Sequence, residues 1–222
     1  MLKILTLLAA LALPGAALAC PTQPLPDQAQ ADLPRDGSHD TALFSLALAH
    51  HVNVERCAEG LSPIAPIPGL NAAAAAHSRD MAQYDFFDHV SPVEGRETLT
   101  DRLSVTGVSL SRIAENLGQT FVVDYEPGRE YRVVDAENCE FTYNFGSGVT
   151  DKLGSVVGRR AELLDYRTYD SSAQAIVAGW MASPPHRRNM LDPAFTRHGA
   201  GFAITDTDTL CGRILATQVL IK

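Results

Sequence analysis

The stretch that most constrains this chain lies near its C-terminus, where one helical segment stops and another starts at once. Residues 180–189 read Trp-Met-Ala-Ser-Pro-Pro-His-Arg-Arg-Asn. Ser183 and Pro184 are typical of a helix N-cap and a first helical position, so the pattern predicts a short helix with His186 in its first turn. The positive end of a helix disfavours a protonated imidazole. We therefore expect a neutral histidine in a defined place, suited to be a metal ligand or a base.

Two earlier motifs carry the other candidate site residues. His89 follows a pair of phenylalanines and precedes a Ser-Pro dipeptide, so aromatic burial should hold its position. Glu115 follows apolar residues, and a buried carboxylate needs a partner or it becomes protonated. Glu115 is expected to hold its own loop together through backbone amides, to face a cleft, or to do both.

The N-terminus has the features of a secretory signal peptide over residues 1–19. A lysine precedes a short apolar run, and Ala17-Leu18-Ala19 has the small-x-small form that signal peptidase cleaves. The run is shorter than the roughly 20 residues that span a bilayer, so no transmembrane segment is expected. We expect a secreted or periplasmic protein. A lipoprotein anchored through Cys20 is the less favoured alternative, because lipoprotein signals usually carry leucine where this chain has Ala17.

Composition limits the classes of partner. The chain has 222 residues, a formal net charge of −8 and no cluster of basic residues, which argues against nucleic acid as a partner. Residues 20–37 are rich in Pro, Gln and Asp and are interpreted as a linker. Residues 38–222 are long enough for one domain, which we expect to be a monomer.

Periodicity and capping signals predict the main elements. Asp40 should cap a first helix that ends near Gly60, and Asn71 should cap an alanine-rich helix over Leu70–Tyr84. A capping box is expected at Thr98–Asp101 and another at Ser171–Gln174. Two C-terminal strands, over 199–204 and 215–221, are expected to pair antiparallel around a loop at 206–208.

Residues 119–169 are predicted to form an insertion with its own structure. Strand-forming segments separated by turns favour a β-meander, with strands over 121–123, 131–134 and 141–145. A short helix is expected over 159–166. Because the insertion follows Glu115 in sequence, we expect it to form one wall of a cleft and to select the ligand.

The order and spacing of these motifs resemble the CAP superfamily of cysteine-rich secretory, antigen 5 and pathogenesis-related 1 proteins, in particular its bacterial secreted SCP-like members. The resemblance covers residues 40–118 and 170–222. It rests on four segments: His77–Met81, Phe-Phe-x-His-x-Ser-Pro at 86–92, Glu115-Asn116 and the stretch at 180–189. It implies an α+β fold, an α-β-α sandwich with a central antiparallel sheet, to which this chain adds the β-rich insertion.

For the site, the resemblance implies a cleft lined by His89, Glu115 and His186, in which His89 and His186 can hold a divalent metal such as zinc. Animal and plant members carry a further glutamate beside the tryptophan of the late motif, and this chain has none at Met181–Ser183. Two other histidines are expected outside the site: His77 in the packed core and His198 facing solvent.

Three classes of function remain open. The first, which we favour, is a non-catalytic secreted module whose cleft binds a peptide, a glycan, a lipid or a metal. The second is a metal-assisted peptidase or other hydrolase with His89 and His186 as zinc ligands and Glu115 as base. The third is a serine hydrolase, which lacks a GxSxG elbow in this sequence.

The cysteines are Cys20, Cys57, Cys139 and Cys211. An even number in an exported chain predicts two disulfides, and four cysteines allow three pairings that the sequence alone does not separate. The pairing we adopt joins Cys139 to Cys211, which would tie the insertion to the C-terminal hairpin. Cys20 would then pair with Cys57 and hold the leader.

Overall fold

A computed structural model describes residues 24–109, 111–143, 163–205 and 209–222. The expected signal peptide, Cys20, the loop at 206–208 and part of the expected insertion lie outside these residues. Within them, no helix combines the length and the apolar character needed to cross a membrane. The helices are α1 (Thr41–Ala58), α2 (Pro68–Tyr84), α3 (Leu99–Ser104), α4 (Tyr169–Ala182) and α5 (Pro184–Met190). The strands are β1 (Ala65–Pro66), β2 (Ile113–Phe121), β3 (Tyr131–Asp135), β4 (Glu140–Tyr143), β5 (Arg197–Ile204) and β6 (Arg213–Ile221).

A four-stranded sheet in the order β1-β5-β6-β2 lies between two helical layers. Strands β5, β6 and β2 are antiparallel, and the two-residue β1 joins β5 in parallel, so the sheet is mixed rather than purely antiparallel. Helix α2 packs on one face with α3 beside it, and α1, α4 and α5 lie on the other face. The predicted α+β sandwich is confirmed.

The larger core lies between the sheet and helices α1 and α4. Phe44, Trp180 and Phe202 are buried there among aliphatic side chains. The indole Nε1 of Trp180 donates to the carbonyl of Leu117 at 2.7 Å, which ties α4 to β2. Each large apolar side chain that is fully buried in this way contributes about 1.5–3 kcal/mol to folding.

Helix α2 approaches the other face of the sheet so closely that only glycine fits beneath it. A Cβ atom on Gly201 would lie 2.3 Å from the backbone nitrogen of Ala75, and one on Gly199 would lie 2.3 Å from Leu70. The alanine-rich sequence of α2 and the two glycines of β5 therefore act together, because each removes side-chain bulk from the same contact.

The helix starts agree only in part with the predicted caps. Asp40 caps α1 by accepting from the backbone of Leu43, and Thr98 and Asp101 form the predicted capping box of α3. The prediction for α2 was wrong: Asn71 lies inside the helix, and its side-chain oxygen accepts from Ser45 and from the backbone of Ala200.

Helix α4 also begins earlier than the capping signal indicated. Its capping box joins Thr168 to Ser171 instead of Ser171 to Gln174. Ser183 is the N-cap residue of α5 as predicted, although its side chain makes no capping hydrogen bond. The two C-terminal strands pair antiparallel as predicted.

The three-stranded meander predicted for the insertion was wrong. Strand β2 of the central sheet continues to Phe121, so residues 119–121 belong to the main fold, and Glu115 lies in a strand instead of a loop. Among the described residues of the insertion, β3 and β4 pair as a two-stranded sheet that a third strand does not join. Residues 163–166 of the expected short helix are not helical, and the rest of that segment lies outside the described residues.

The predicted disulfide between Cys139 and Cys211 is present. It joins the described part of the insertion to the start of β6, next to Phe121 at the end of β2. Phe121 lies six positions after Glu115 along β2, which corresponds to about 20 Å of extended strand. The described part of the insertion therefore does not wall the Glu115 site as expected. The other predicted disulfide involves Cys20, which lies outside the described residues.

We expect Gly201→Ala to lower the free energy of unfolding by about 3 kcal/mol, because the new methyl group collides with the backbone of α2. Urea unfolding followed by circular dichroism measures the change. The control is Gly179→Ala on α4, where a Cβ meets no atom within 4 Å and alanine should stabilise the helix by up to about 1 kcal/mol. Equal stabilities for the two variants would contradict the close packing of α2 on β5.

Candidate functional site

The centre of the candidate site is a buried ion pair between Glu115 on β2 and Arg102 on α3. The Arg102 Nη2 atom donates to Glu115 Oε1 at 2.9 Å and to Oε2 at 2.7 Å. The two side chains are only 2% and 4% exposed. A buried carboxylate is stable only when it is paired and hydrogen-bonded, and Arg102 supplies both conditions.

Arg102 reaches this position because of how its helix begins. The Thr98–Asp101 capping box starts α3 one turn before Arg102. The guanidinium then donates to three backbone carbonyl oxygens as well as to Glu115, those of His89, Arg96 and Glu97. One arginine therefore holds together the loop that carries His89, the segment before α3 and the edge strand β2.

His89 is the exposed member of the cluster. Its Nδ1 atom donates to Glu115 Oε1 at 2.8 Å, while 56% of the side chain is exposed to solvent. The hydrogen bond with Glu115 raises the pKa of His89 above its ordinary value of 6.5, and burial opposes this rise. Because Nδ1 is used by Glu115, the other ring nitrogen, Nε2, is the atom available to a ligand.

His186 comes from the opposite helical layer. It lies in the first turn of α5, and its backbone carbonyl accepts from Asn116 Nδ2 at 3.4 Å. Asn116 also accepts from Asn189 at 2.9 Å and donates to Gln218 at 3.0 Å, so a ladder of amides joins α5 to the sheet.

The alternation of side chains along β2 explains how two layers contribute to one site. Successive residues of a strand point to opposite faces, so Glu115 points toward α3 and Asn116 points toward α5. Strand β2 is the edge of the central sheet. His89 and His186 therefore approach the same edge from its two sides.

The two histidines differ in charge preference. Burial lowers the pKa of His186, and the nearby positive charge of protonated His89 lowers it further. The opposite shifts make His89 the ring that protonates first as the pH falls, while His186 stays neutral. A neutral imidazole keeps a lone pair for a metal or a hydrogen-bond donor.

The structure places the three predicted site residues around the edge strand β2, where each makes a different set of contacts. Glu115 contacts His89 and is turned toward Arg102, whereas His186 interacts with Asn116. Over the described ranges, no group of three or more His, Cys, Asp or Glu side chains could hold a metal ion.

Sequence reasoning missed Arg102, Asn189 and Gln218. The requirement that a buried glutamate have a partner was recognised, and Arg102 sits one residue after the predicted capping box. The buried position expected for Glu115 indicated that it needs a partner, but it did not indicate that the partner is Arg102. No sequence pattern predicted the hydrogen bonds among Asn116, Asn189 and Gln218, because these residues are far apart in the chain and belong to no recognisable motif.

The other histidines divide between a confirmed and a wrong prediction. His77 is buried as expected, with Nε2 donating to the carbonyl of Asp88 at 3.1 Å. His198 was expected to face solvent but is fully buried on the α1 side of the sheet. Burial lowers the pKa of His198 to about 4, with a smaller contribution from the charge of Arg56.

Part of this chain is similar to a known protein family. The model of the cysteine-rich secretory protein family, CAP, matches residues 134–218, a range that contains His186 and starts after His89 and Glu115. The uncharacterized protein YkwD of Bacillus subtilis is 25% identical over 150 residues, which are 68% of this chain and 38% of that protein.

Two solved structures also align with this chain. An extracellular protein of Bacillus anthracis that contains an SCP domain is 21% identical, with a TM-score of 0.48 over 81% of this chain and 40% of its own. An outer surface protein of Borrelia burgdorferi is 12% identical, with a TM-score of 0.49 over 82% of this chain and 96% of its own. The chain thus spans less than half the length of the two Bacillus proteins.

We expect Glu115→Gln to lower the free energy of unfolding by about 3 kcal/mol, because it leaves the buried charge of Arg102 without a counter-ion. Chemical denaturation measures the loss. The control is Glu59→Gln, which removes the exposed ion pair with Arg187 and should cost less than about 1 kcal/mol. A Glu115→Gln variant as stable as the control would show that the buried pair does not stabilise the fold.

We expect His89 to titrate above pH 6.5 and His186 below it, as followed by NMR of the imidazole carbons. A raised pKa in the folded state means that the His89–Glu115 bond stabilises the protein fully below pH 6.5. This stabilisation is lost as the pH rises through the pKa of folded His89. The two histidines serve as internal controls for each other, and titration in the reverse order would refute the assignment of the hydrogen bond.

Proposed function

We propose that this chain is a member of the CAP family, whose model matches residues 134–218. We further propose that it is an exported, non-catalytic binding module whose ligand contacts the imidazoles of His89 and His186, the histidine pair. The observation that carries the proposal is the 2.8 Å hydrogen bond from His89 Nδ1 to Glu115. It orients a half-exposed ring and leaves Nε2 as the contact atom. The proposal of export rests on the signal-peptide features of residues 1–19.

A divalent metal ion such as zinc is the simplest ligand for the histidine pair. Histidines that bind metals usually donate their second ring nitrogen to a carboxylate, which is the relation of His89 to Glu115. The lowered pKa of His186 favours the neutral imidazole that binds a metal. His89 and His186 would hold the ion, and a bound ion would attract electron-rich groups of a peptide, a glycan or a lipid.

The donor set fits an open, exchangeable site and not a closed one. Zinc is usually four-coordinate, and catalytic zinc usually has three protein ligands. Two imidazoles leave positions for water or for groups of a larger ligand. The described residues supply no third His, Cys, Asp or Glu to the pair.

The position of Glu115 disfavours the hydrolase alternative. A general base must be able to approach the proton that it removes. Both oxygens of Glu115 accept from Arg102, and one of them also accepts from His89. The glutamate is therefore committed to holding the structure together, and its predicted role as a catalytic base has no support in the geometry.

Zinc titration by calorimetry tests the histidine pair. We expect wild-type protein to bind zinc more tightly as the pH rises through the pKa of His89, because the proton and the metal compete for the ring. The His89→Ala/His186→Ala double variant should lose this binding, while His39→Gln, which changes a histidine elsewhere, should keep it. The same heat for wild type and the double variant would remove the metal from the proposal.

A peptide-library assay with added zinc separates the binding module from a hydrolase. We expect no cleavage by the wild-type protein over the library. Cleavage that is lost in His89→Ala and in His186→Ala, with both variants folded, would replace the binding proposal by the hydrolase alternative.

A further inference from the structure

A cavity of about 500 Å³ lies at the end of β2 farthest from Glu115, where the insertion meets the central sheet. It is separate in space from the histidine pair, because Phe121 lies six positions after Glu115 along β2. Its size falls within the range of natural small-molecule sites. The residues that line it are Gln119, Thr120, Phe121, Tyr125, Pro127, Arg167 and Arg213.

Aromatic rings form one side of this cavity. Phe121 and Tyr125 lie with their ring centroids 5.3 Å apart and their planes at 83°. Tyr125 is held in turn by Tyr131 at 5.4 Å, and its hydroxyl donates to the carbonyl of Arg129 at 2.7 Å. Tyr125 is therefore held by contacts outside the cavity, which lowers the entropy lost when a ligand binds against its ring.

The buried Arg167 also lines the cavity, and each nitrogen of its guanidinium has a partner within the protein. Its guanidinium donates to the carbonyls of Phe121 and Ser171 and, at 2.8 Å, to the carboxylate of Asp124. Asp124 thus compensates the charge of Arg167. These contacts hold the Arg167 side chain in place, and the ion pair with Asp124 neutralises its charge.

Among the described residues that line the cavity, Arg213 is the cation without an ionic partner. It is exposed, its guanidinium lies 5.6 Å from the centroid of Phe121, and it forms no ion pair with any acidic residue in the described part of the chain. None of the described residues that line the cavity is acidic, although the whole chain has a formal net charge of −8. A guanidinium beside an aromatic ring and without a carboxylate partner is suited to an anionic ligand.

We propose that this cavity binds an acidic saccharide, a sugar that carries a carboxylate. The carboxylate would pair with Arg213, and the apolar face of the sugar ring would pack on Phe121 and Tyr125. Gln119 and Thr120 supply an amide and a hydroxyl for the sugar hydroxyls. Two aromatic rings, a cation without an acidic partner among the described residues, and polar side chains match a uronic acid unit better than a fatty acid, which would need a longer apolar lining.

Calorimetric titration with trigalacturonate, with neutral maltotriose as the matched saccharide, tests the proposal. We expect wild type to bind trigalacturonate and to discriminate against maltotriose, and we expect affinity to fall as salt is added. Arg213→Gln should weaken trigalacturonate binding about tenfold, because it removes a charge-assisted hydrogen bond. Arg132→Gln, an exposed arginine of β3 outside the cavity lining, should change the affinity less than about twofold.

The aromatic contact has its own test. Tyr125→Leu should weaken binding of trigalacturonate, and NMR saturation transfer from aromatic protons to the sugar ring should be lost with it. If Tyr125→Leu does not fold, the aromatic contact is tested by saturation transfer to the sugar in wild type and in the Arg213→Gln variant, which changes an exposed residue. Absence of transfer in wild type would overturn the proposal.

The outcome is independent of the histidine pair. The His89→Ala/His186→Ala variant should bind trigalacturonate as wild type does, so failure of the zinc experiment and failure of this one are distinguishable. No trigalacturonate binding by wild type, or equal binding by wild type and Arg213→Gln, would overturn the assignment. Equal affinity of wild type for maltotriose and trigalacturonate would also overturn it, because the charge of Arg213 would then make no contribution to binding.

Discussion

The buried ion pair between Arg102 and Glu115 holds the candidate site together. The two side chains are almost fully buried, and the same guanidinium binds the carbonyls of His89, Arg96 and Glu97. The loop that carries His89, the segment before α3 and the edge strand β2 thus meet at one charge. Such a pair is costly to break, because removing either partner leaves the other charge buried and unpaired. The orientation of His89 depends on it directly, since Glu115 also accepts from Nδ1.

The edge strand β2 gives the protein two separate surfaces with different chemistry. Near its start, Glu115 and Asn116 point to opposite faces and recruit His89 and His186 from the two helical layers. At its end, Phe121 packs with Tyr125 of the insertion and with Arg213 of β6. One surface carries imidazoles suited to a metal or a hydrogen-bonding ligand, and the other carries aromatic rings and the guanidinium of Arg213. A binding module that uses both would contact a larger ligand at two points about 20 Å apart.

Most helices and strands were predictable because their signals are local. The capping box at Thr98–Asp101 and the cap at Asp40 involve residues within one turn, and the C-terminal strands are short segments of mostly apolar residues. The limits of β2 were not predictable in the same way. Its extension to Phe121 depends on pairing with residues 213–221, which lie about 100 positions later, and no local pattern carries that register.

The sequence by itself determined which residue types are present at the site: an exposed histidine after two phenylalanines, a glutamate that must find a partner, and a histidine in the first turn of a helix that proline starts. Only the tertiary structure decided what these residues do. It paired Glu115 with Arg102, buried His198, and set the described part of the insertion at the far end of β2. The physical reason is that caps and periodicity act over a few residues, whereas a counter-ion, a burial class or a strand register depends on which distant segments pack together.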